Sequence, residues 1–434
     1  MVPSPDPPLA LVLLDRRTAK VAWNVLLGAL EVFPDTAAVP VDLPRRPEEL
    51  IAAAQARLER GQRVLVGWSG YSPELPWLRA ALGQVRAALP DPRVLHLVGG
   101  VHASAEPASC LEQGWDLALS GEGEAALVAL VRALLRGEDP GAVRGVWTPG
   151  RPGGRAEPVD LGAWPPYAPA RGRRGAIEVT RGCIYACGFC QTPFLARARF
   201  RHRSLEDVVR WVEDQRRAGF RDYRFLSPTS LSWGADGPEP RLDRLEALLS
   251  AVREVVGPAG RVYWGTFPSE VRPEHVTPEA LELLRRFVDN RTLIVGGQSG
   301  SERVLQRAHR GHGPGEVVRA VEVALAAGFV PHVDFLFGLP GEEDPDRRAS
   351  LALMQELVRR GARVHGHTFM PLPGTPLRDA PPGQVPDWLR HELQRLSARG
   401  AMYGQWEGQV GVARALAEER ARGRALPVRP GAGA

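Results

Sequence analysis

The sequence has 434 residues, of which 44% are hydrophobic and 24% charged, and its formal net charge is +5 at pH 7. This length allows two to three domains, and this composition is typical of a soluble globular protein. Lys20 is the only lysine, so 54 of the 55 basic residues are arginines, and they alternate with acidic residues along the chain. We therefore expect no nucleic-acid partner.

The sequence also argues against a membrane protein. No apolar run reaches the ~18–20 residues that a transmembrane helix needs. The start lacks a basic segment, and Asp15 ends the apolar run 9–14, so we expect no signal peptide. Four cysteines in 434 residues fit a reducing compartment. We expect a cytoplasmic protein with no membrane span.

Strand and helix patterns alternate through residues 1–142, which we predict to be the first domain. Short apolar runs, each followed by a helical pattern, predict a doubly wound parallel sheet. The predicted strands are Leu9–Leu14, Ala38–Leu43, Arg63–Trp68, Val94–Val98 and Asp116–Leu119. Ligands of such sheets bind beyond the carboxyl ends of the strands. The small residues at these ends are Ser69, Gly99, Gly100 and Gly121.

A hairpin and a Pro-rich linker are predicted over 143–175, and the alternation then restarts over 176–380. Six strands with intervening helices predict a partial (β/α)6 barrel. These strands are Ala176–Thr180, Tyr223–Leu226, Val262–Thr266, Thr292–Val295, His332–Phe337 and Val364–Thr368. Residues 381–434 predict a helical extension, with helices over Trp388–Arg399 and Val412–Arg422 and a disordered tail over Pro427–Ala434.

Three of the four cysteines lie within eight residues, where Cys183, Cys187 and Cys190 have the spacing C-x3-C-x2-C. Three thiolates on a short loop can hold three irons of a [4Fe–4S] cluster and leave the fourth iron open. A structural zinc site is the first alternative, but zinc takes four ligands and the next candidate, His202, comes late. The second alternative, three unrelated buried cysteines, makes their grouping a coincidence.

This cysteine motif resembles that of the radical S-adenosylmethionine (radical SAM) superfamily, in which an aromatic residue, here Phe189, precedes the last cysteine. The resemblance implies that the open iron binds the amino and carboxylate groups of SAM. It also implies that the reduced cluster cleaves SAM to a 5′-deoxyadenosyl radical. A low-potential reductant such as flavodoxin or ferredoxin is then expected as a partner.

Motifs at the ends of later strands resemble the branch of the superfamily that contains methylthiotransferases and cobalamin-dependent enzymes. The matching segments are 298–305, 337–342 and 373–376. The resemblance implies that Ser269, Glu270 and Gln298 reach the ribose or the methionine end of SAM. The second strand ends in Ser227-Pro228-Thr229 where Gly-Gly-Glu is common, which leaves the usual amine contact open.

The order of elements in the first domain resembles the cobalamin-binding domain that precedes many radical SAM cores. The resemblance implies that Ser69, Gly99, Gly100 and Gly121 flank the nucleotide tail of the corrinoid. In the motif D-x-H-x-x-G of that domain, the His ligates cobalt. Here Asp15 fits, but Arg17 stands in place of the His. The alternative is a domain that has kept this fold and lost the cofactor. His102 and Cys110 are interpreted as packing residues.

These resemblances together predict a cobalamin-dependent radical SAM methyltransferase that acts on an unactivated carbon of an unknown substrate. One alternative is a methylthiotransferase, although such enzymes hold a second cluster through three further cysteines and only Cys110 remains here. Another is an electron-transfer or sensor protein. No catalytic residue is assigned. Candidates for the pocket, equally compatible with roles in the core or at its rim, are Trp233, Trp264, His365 and His367.

Overall fold

The computed structural model describes residues 8–267 and 269–425. The chain divides into two compact units, and each unit consists of three segments. The first unit comprises residues 8–183, 195–228 and 243–263. The second unit comprises residues 184–194, 229–242 and 264–425. The domain boundaries drawn from the sequence stay predictions. The predicted tail Pro427–Ala434 lies outside the described residues.

The first unit contains a six-stranded sheet built from the N-terminal residues. Its strands are β1 (Leu9–Leu13), β2 (Val41–Asp42), β3 (Arg63–Ser69), β4 (Val94–Gly99), β5 (Leu117–Leu119) and β6 (Val146–Trp147). The strand order is β2-β1-β3-β4-β5-β6, in which β1 to β5 are parallel and β6 is antiparallel. The order reverses between β1 and β3, and doubly wound sheets bind their ligands at such a point.

Helices cover this sheet because their apolar residues recur at helical spacing. They are α1 (Lys20–Glu31), α2 (Pro34–Ala37), α3 (Pro47–Glu59), α4 (Leu75–Ala88), α5 (Val101–Ala105), α6 (Pro107–Glu112) and α7 (Gly123–Arg136). One hydrophobic core joins α1 and α7 to one face, where Leu11, Leu65 and Leu97 are buried. A second core joins α3 and α4 to the other face, where Val12, Val66 and Val98 are buried. Alternate residues of each strand therefore serve opposite cores.

The remaining strands of the first unit precede and follow the cysteines. They are β7 (Ile177–Glu178), β8 (Thr180–Arg181), β9 (Arg201–His202), β10 (Asp222–Leu226) and β11 (Arg261–Tyr263). Strands β11, β10 and β7 form a parallel sheet, whereas β8 and β9 pair antiparallel. Helix α8 (Thr192–Leu195), most of which belongs to the second unit, follows the cysteines, and helices α9 (Leu205–Arg217) and α10 (Leu242–Val256) follow β9 and β10.

The second unit contains a parallel sheet in the order β12 (Thr292–Gln298), β13 (Val330–Phe337), β14 (Arg363–Thr368) and β15 (Met402–Tyr403). Its helices are α11 (Pro278–Phe287), α12 (Glu302–Arg307), α13 (Pro314–Ala326), α14 (Asp344–Arg360), α15 (Asp387–Ala398) and α16 (Trp406–Ala425). The last two confirm the helical C-terminal region, and α16 packs beside β14, where Thr368 Oγ1 donates to Trp406 O at 2.7 Å.

The predicted fold class, α/β with parallel sheets and a helical C-terminal region, is confirmed. Three local predictions were wrong. The strand predicted over 262–266 ends at Tyr263, because Gly265 adopts a φ of +66°. The predicted hairpin near residue 150 contains one strand, β6, and a single bridge between Thr148 and Arg151. The strand predicted over 176–180 is split into β7 and β8.

No helix within residues 8–267 and 269–425 combines the length and the apolar content that crossing a membrane requires.

Candidate active site

The cysteine loop follows β8 without regular secondary structure. Gly182 adopts a φ of +79°, and a Cβ there would overlap the carbonyl oxygen of Arg199, so this position needs glycine. Cys183, partly exposed, is the last residue of this segment of the first unit. In the second unit Cys187 is buried and Cys190 is partly exposed, and burial raises the pKa of the Cys190 thiol.

A buried arginine lies against Cys187. Arg310 is 4% exposed, and its Nη1 lies 3.5 Å from Cys187 Sγ. Its Nη2 donates to Gly296 O at 2.6 Å, and its Nε donates to His312 Nε2 at 3.0 Å. Arg310 therefore places a hydrogen-bond donor and a positive charge beside the Cys187 sulfur. The sequence analysis missed Arg310, because nothing in its local sequence separates it from the other arginines.

Three polar side chains meet over Gly296. A Cβ built on this glycine would lie 3.1 Å from Glu270 Oε2 and 3.2 Å from Gln298 Nε2, and it would overlap Arg310 Nη2. Gln298 has a φ of +69° at the irregular end of β12. A non-glycine residue in this region is strained, and such strain is often found at functional sites. The structure thus brings together two of the residues that were predicted to contact SAM.

Burial raises the pKa of the Glu270 carboxyl to about 7, opposed by Arg310 and reinforced by Asp334. The third residue predicted to contact SAM, Ser269, precedes Glu270 and is 4% exposed. Its backbone N–H donates to Thr266 O at 3.0 Å. The roles of these three residues at SAM stay predictions.

The cysteine loop is anchored within the second unit by both polar and apolar contacts. Gly188 N donates to Ala308 O at 3.0 Å, and Gln191 Nε2 donates to Pro373 O at 2.7 Å. The ring of Phe189 packs on a hydrophobic cluster formed by Val304, Leu339, Phe369, Leu336, Leu377 and Ala380. The residue before the last cysteine therefore contributes an apolar wall beside the loop.

The carboxyl edge of the N-terminal sheet has open space at one glycine. A Cβ added to Gly99 would meet no protein atom within 4 Å. The other two glycines leave no room for a side chain. A Cβ on Gly100, where φ is +94°, would lie 3.1 Å from Ser69 Oγ, and a Cβ on Gly121 would lie 2.7 Å from Ala156 O. Ser69 is 6% exposed at the end of β3. Gly99 thus offers a place where a ligand can approach the backbone closely, and the roles of the four small residues at a corrinoid stay predictions.

The residues that replace the cobalt-binding motif have other partners or face solvent. Asp15 accepts two hydrogen bonds from Arg173, at 2.8 and 2.9 Å, and Arg17 is exposed. The His102 ring lies 3.0 Å from Ser72 Oγ through its Nδ1. Cys110 is fully buried, and burial raises the pKa of its thiol to about 12. A neutral buried thiol is inert, which agrees with the predicted packing role of Cys110.

An ion-pair network, which the sequence analysis missed, ties the loop after β5 to β8. The guanidinium of Arg181 lies 2.9 Å from Glu122, 2.7 Å from Glu124 and 2.6 Å from Glu178. Arg201 on β9 also pairs with Glu122. Because Arg181 stands two residues before Cys183, this network fixes the start of the cysteine loop next to the loop that carries Gly121.

Residues 177–354 match the family model of the radical SAM superfamily. Within these residues the chain is thus similar to the radical SAM superfamily. All three loop cysteines, the group over Gly296 and strands β7 to β13 lie within the matched residues.

Two curated proteins are similar to this chain in sequence. One, an uncharacterized protein of Methanopyrus kandleri, is 26% identical over 364 residues, which are 70% of this chain and 66% of the relative. The other, tRNA-2-methylthio-N(6)-dimethylallyladenosine synthase of Paracoccus denitrificans, is 28% identical over 255 residues, which are 57% of this chain and 54% of the relative. The chain thus spans between about half and two thirds of the length of these relatives.

Two solved structures are similar in fold to most of this chain. The radical SAM methyltransferase TsrM of Kitasatospora setae, solved with cobalamin and a [4Fe–4S] cluster, has a TM-score of 0.64 at 20% identity, over 86% of this chain and 77% of TsrM. The cobalamin-dependent radical SAM enzyme OxsB, solved with aqua-cobalamin and SAM, has a TM-score of 0.61 at 18% identity, over 80% of this chain and 51% of OxsB. At these identities the likeness concerns the fold.

Proposed function

We propose that this protein is a cobalamin-dependent radical SAM enzyme that methylates an unactivated carbon of a small-molecule substrate. One observation carries the proposal: the family-matched cysteine loop follows, in the same chain, a parallel sheet whose carboxyl edge has open space at Gly99. The fold likeness to TsrM and OxsB supports it.

The loop residues fit a [4Fe–4S] cluster. Cys183, Cys187 and Cys190 would hold three irons, which leaves one iron for SAM. Cluster, SAM and methylcobalamin, when bound, supply a 5′-deoxyadenosyl radical and a transferable methyl group. Arg310 would donate a hydrogen bond to the Cys187 sulfur, and the apolar cluster around Phe189 would keep water from the loop. Low-potential electrons would come from a flavodoxin or a ferredoxin.

The group over Gly296 fits the polar ends of SAM. Gln298 offers an amide that both donates and accepts, and Glu270 offers a carboxyl whose pKa is raised by burial. Both would bind hydroxyl or ammonium groups. Ser269 is proposed as a neighbouring contact from the same loop.

The N-terminal edge fits a corrinoid that has no histidine ligand from this chain. Ser69, Gly99, Gly100 and Gly121 would line the nucleotide tail. Since Arg17 replaces the motif histidine and is exposed, cobalt would be bound without protein nitrogen from this segment. We expect about one cobalamin per chain, and the Co(II) form should show no nitrogen superhyperfine splitting from a protein histidine in electron paramagnetic resonance (EPR).

The test uses two matched glycines. A Cβ at Gly99 meets no protein atom within 4 Å, so a leucine there would occupy the space proposed for the ligand, and Gly99→Leu should lose corrinoid while it keeps its iron. Gly83 lies on the exposed face of α4 and also has no atom within 4 Å of a Cβ, so Gly83→Leu is the control and should retain both. Anaerobically reconstituted protein that takes up no corrinoid would refute the methyltransferase, and the N-terminal domain would then be one that has lost its cofactor.

A methylthiotransferase is the second candidate, and the relative from Paracoccus denitrificans favours it. Enzymes of that kind hold a second cluster through three further cysteines. Cys110 is the one cysteine left, and it is fully buried in the core of the N-terminal sheet. Iron analysis separates the two: one [4Fe–4S] cluster gives about four irons per chain, whereas two clusters give about eight.

A further inference from the structure

Polar side chains share one face of the sheet in the second unit. On β13, the half-buried His332, Asp334 and Leu336 alternate with buried apolar residues. On β14, His365 and His367 alternate with buried residues in the same way. Because Asp334 pairs in register with His365, these strands bring two imidazoles and a carboxylate to one place.

Three ligand-type atoms converge there. Asp334 Oδ1 lies 2.8 Å from His365 Nδ1, and His367 Nε2 lies 3.3 Å from the same nitrogen. All three atoms lie within 4.8 Å of one another. A ring nitrogen carries either one proton or one lone pair, so His365 Nδ1 forms a full hydrogen bond with only one of its two neighbours. A cation that accepts a lone pair from each atom satisfies all three.

The spacing fits a metal ion. Two ligand atoms that each lie about 2.1 Å from a metal are about 3.0 Å apart when their bonds are at a right angle. The two observed separations bracket this value. Two histidines and one carboxylate on one side of an ion leave its other positions open, an arrangement known for iron(II) and, with three protein ligands, for catalytic zinc.

Surrounding residues hold the three side chains in place. His365 stacks on Tyr403, with ring centroids 4.5 Å apart and planes 13° from parallel. The amide of Gln409 lies 3.4 Å from His367 Nδ1, while its Oε1 accepts from Thr368 N at 2.9 Å. Such outer contacts orient the ligands of metal sites.

We propose that Asp334, His365 and His367 bind one divalent first-row metal ion, iron(II) or zinc(II), independently of the cluster cysteines. Its open positions would take an oxygen or nitrogen donor of the substrate. The site goes beyond the proposed function, because neither the cluster nor cobalamin requires it.

Zinc is the probe that separates this site from the cluster. Holoprotein without a histidine tag is reconstituted with iron and sulfide, dialysed against zinc chloride and then against metal-free buffer. Zinc and iron are counted by mass spectrometry. We expect one zinc and about four irons per chain. The variants Asp334→Asn, His365→Gln and His367→Gln should each weaken zinc binding at least about tenfold at unchanged iron content.

His391→Gln is the control. His391 is exposed on α15, outside the ligand set, so this variant should keep its zinc. Cobalt(II), added in place of zinc, should give ligand-field absorption bands that His365→Gln lacks. The proposal is wrong if wild-type protein binds no more metal than His365→Gln, counting zinc together with any iron beyond the four of the cluster. This result leaves the iron content of the cluster and the corrinoid test untouched, so failure here is separable from failure of the proposed function.

Discussion

Arg310 should set the reduction potential of the cluster through its contact with Cys187. Reduction adds negative charge to the cluster and its thiolates. A buried guanidinium 3.5 Å from Cys187 Sγ stabilises this charge and so raises the potential. Arg310→Gln removes the positive charge and is expected to make the potential more negative.

The size of the shift follows from the strength of the contact. Hydrogen bonds to charged groups contribute about 1.5–3 kcal/mol. The 3.5 Å separation is long, so we take the lower half of this range. For a one-electron couple about 1.4 kcal/mol corresponds to about 59 mV. The potential of Arg310→Gln should therefore lie roughly 60–100 mV below that of the wild type.

The assay is an anaerobic redox titration followed by EPR, with iron counted in each sample. Arg319→Gln is the control, because Arg319 is exposed and pairs with Glu316 on the surface of α13, so its potential should stay within about 15 mV of wild type. If Arg310→Gln loses iron, Arg310→Lys replaces it and should show a smaller shift, since the charge is kept. A variant with a full cluster and an unchanged potential would refute the reasoning.

Two further predictions concern stability in the first unit. Arg181→Gln leaves three carboxylates without their shared cation and should lower the free energy of unfolding by about 3 kcal/mol, measured by urea titration; a loss below about 0.5 kcal/mol would contradict the role of this network. Burial lowers the pKa of His96 from 6.5 to about 4. The unfolded chain therefore binds a proton as the pH falls below 6.5 while the folded chain stays neutral, and stability is lost towards pH 4. Between pH 8 and pH 5, His96 should lower the free energy of unfolding by about 2 kcal/mol. His96→Gln should remove this part of the pH dependence of stability. An equal dependence of the free energy of unfolding on pH in wild type and variant would contradict the prediction.

The periodicity of apolar residues was sufficient to predict most elements. Runs such as 9–14 and 64–68 are apolar on both faces because helices cover both faces of the sheet. The prediction of secondary structure failed where contacts between distant segments determine whether a strand forms. Strand β15 has two residues and is defined by its pairing with β14, so no local pattern marks it.

The residues of the candidate site were also predictable where the signal is local and not predictable where it depends on folding. The spacing of the cysteines is local and was visible in the sequence, as were Glu270 and Gln298 at predicted strand ends. Arg310 and Arg181 were not visible, since a buried arginine and an exposed one look alike in a chain whose basic residues are nearly all arginines. Their partners, Cys187 and Glu122, lie far away in sequence and become neighbours only through folding.

The central claim is that the cysteine loop holds the cluster at which SAM is cleaved. Its most direct test is the formation of 5′-deoxyadenosine by anaerobically reconstituted protein with SAM and a strong reductant, compared between two cysteine variants. Cys187→Ala should form none, whereas Cys110→Ala, which alters a buried cysteine outside the loop, should form as much as its folded fraction allows. Formation of 5′-deoxyadenosine by Cys187→Ala at the wild-type rate, or its absence from wild-type protein that carries about four irons, would contradict the account.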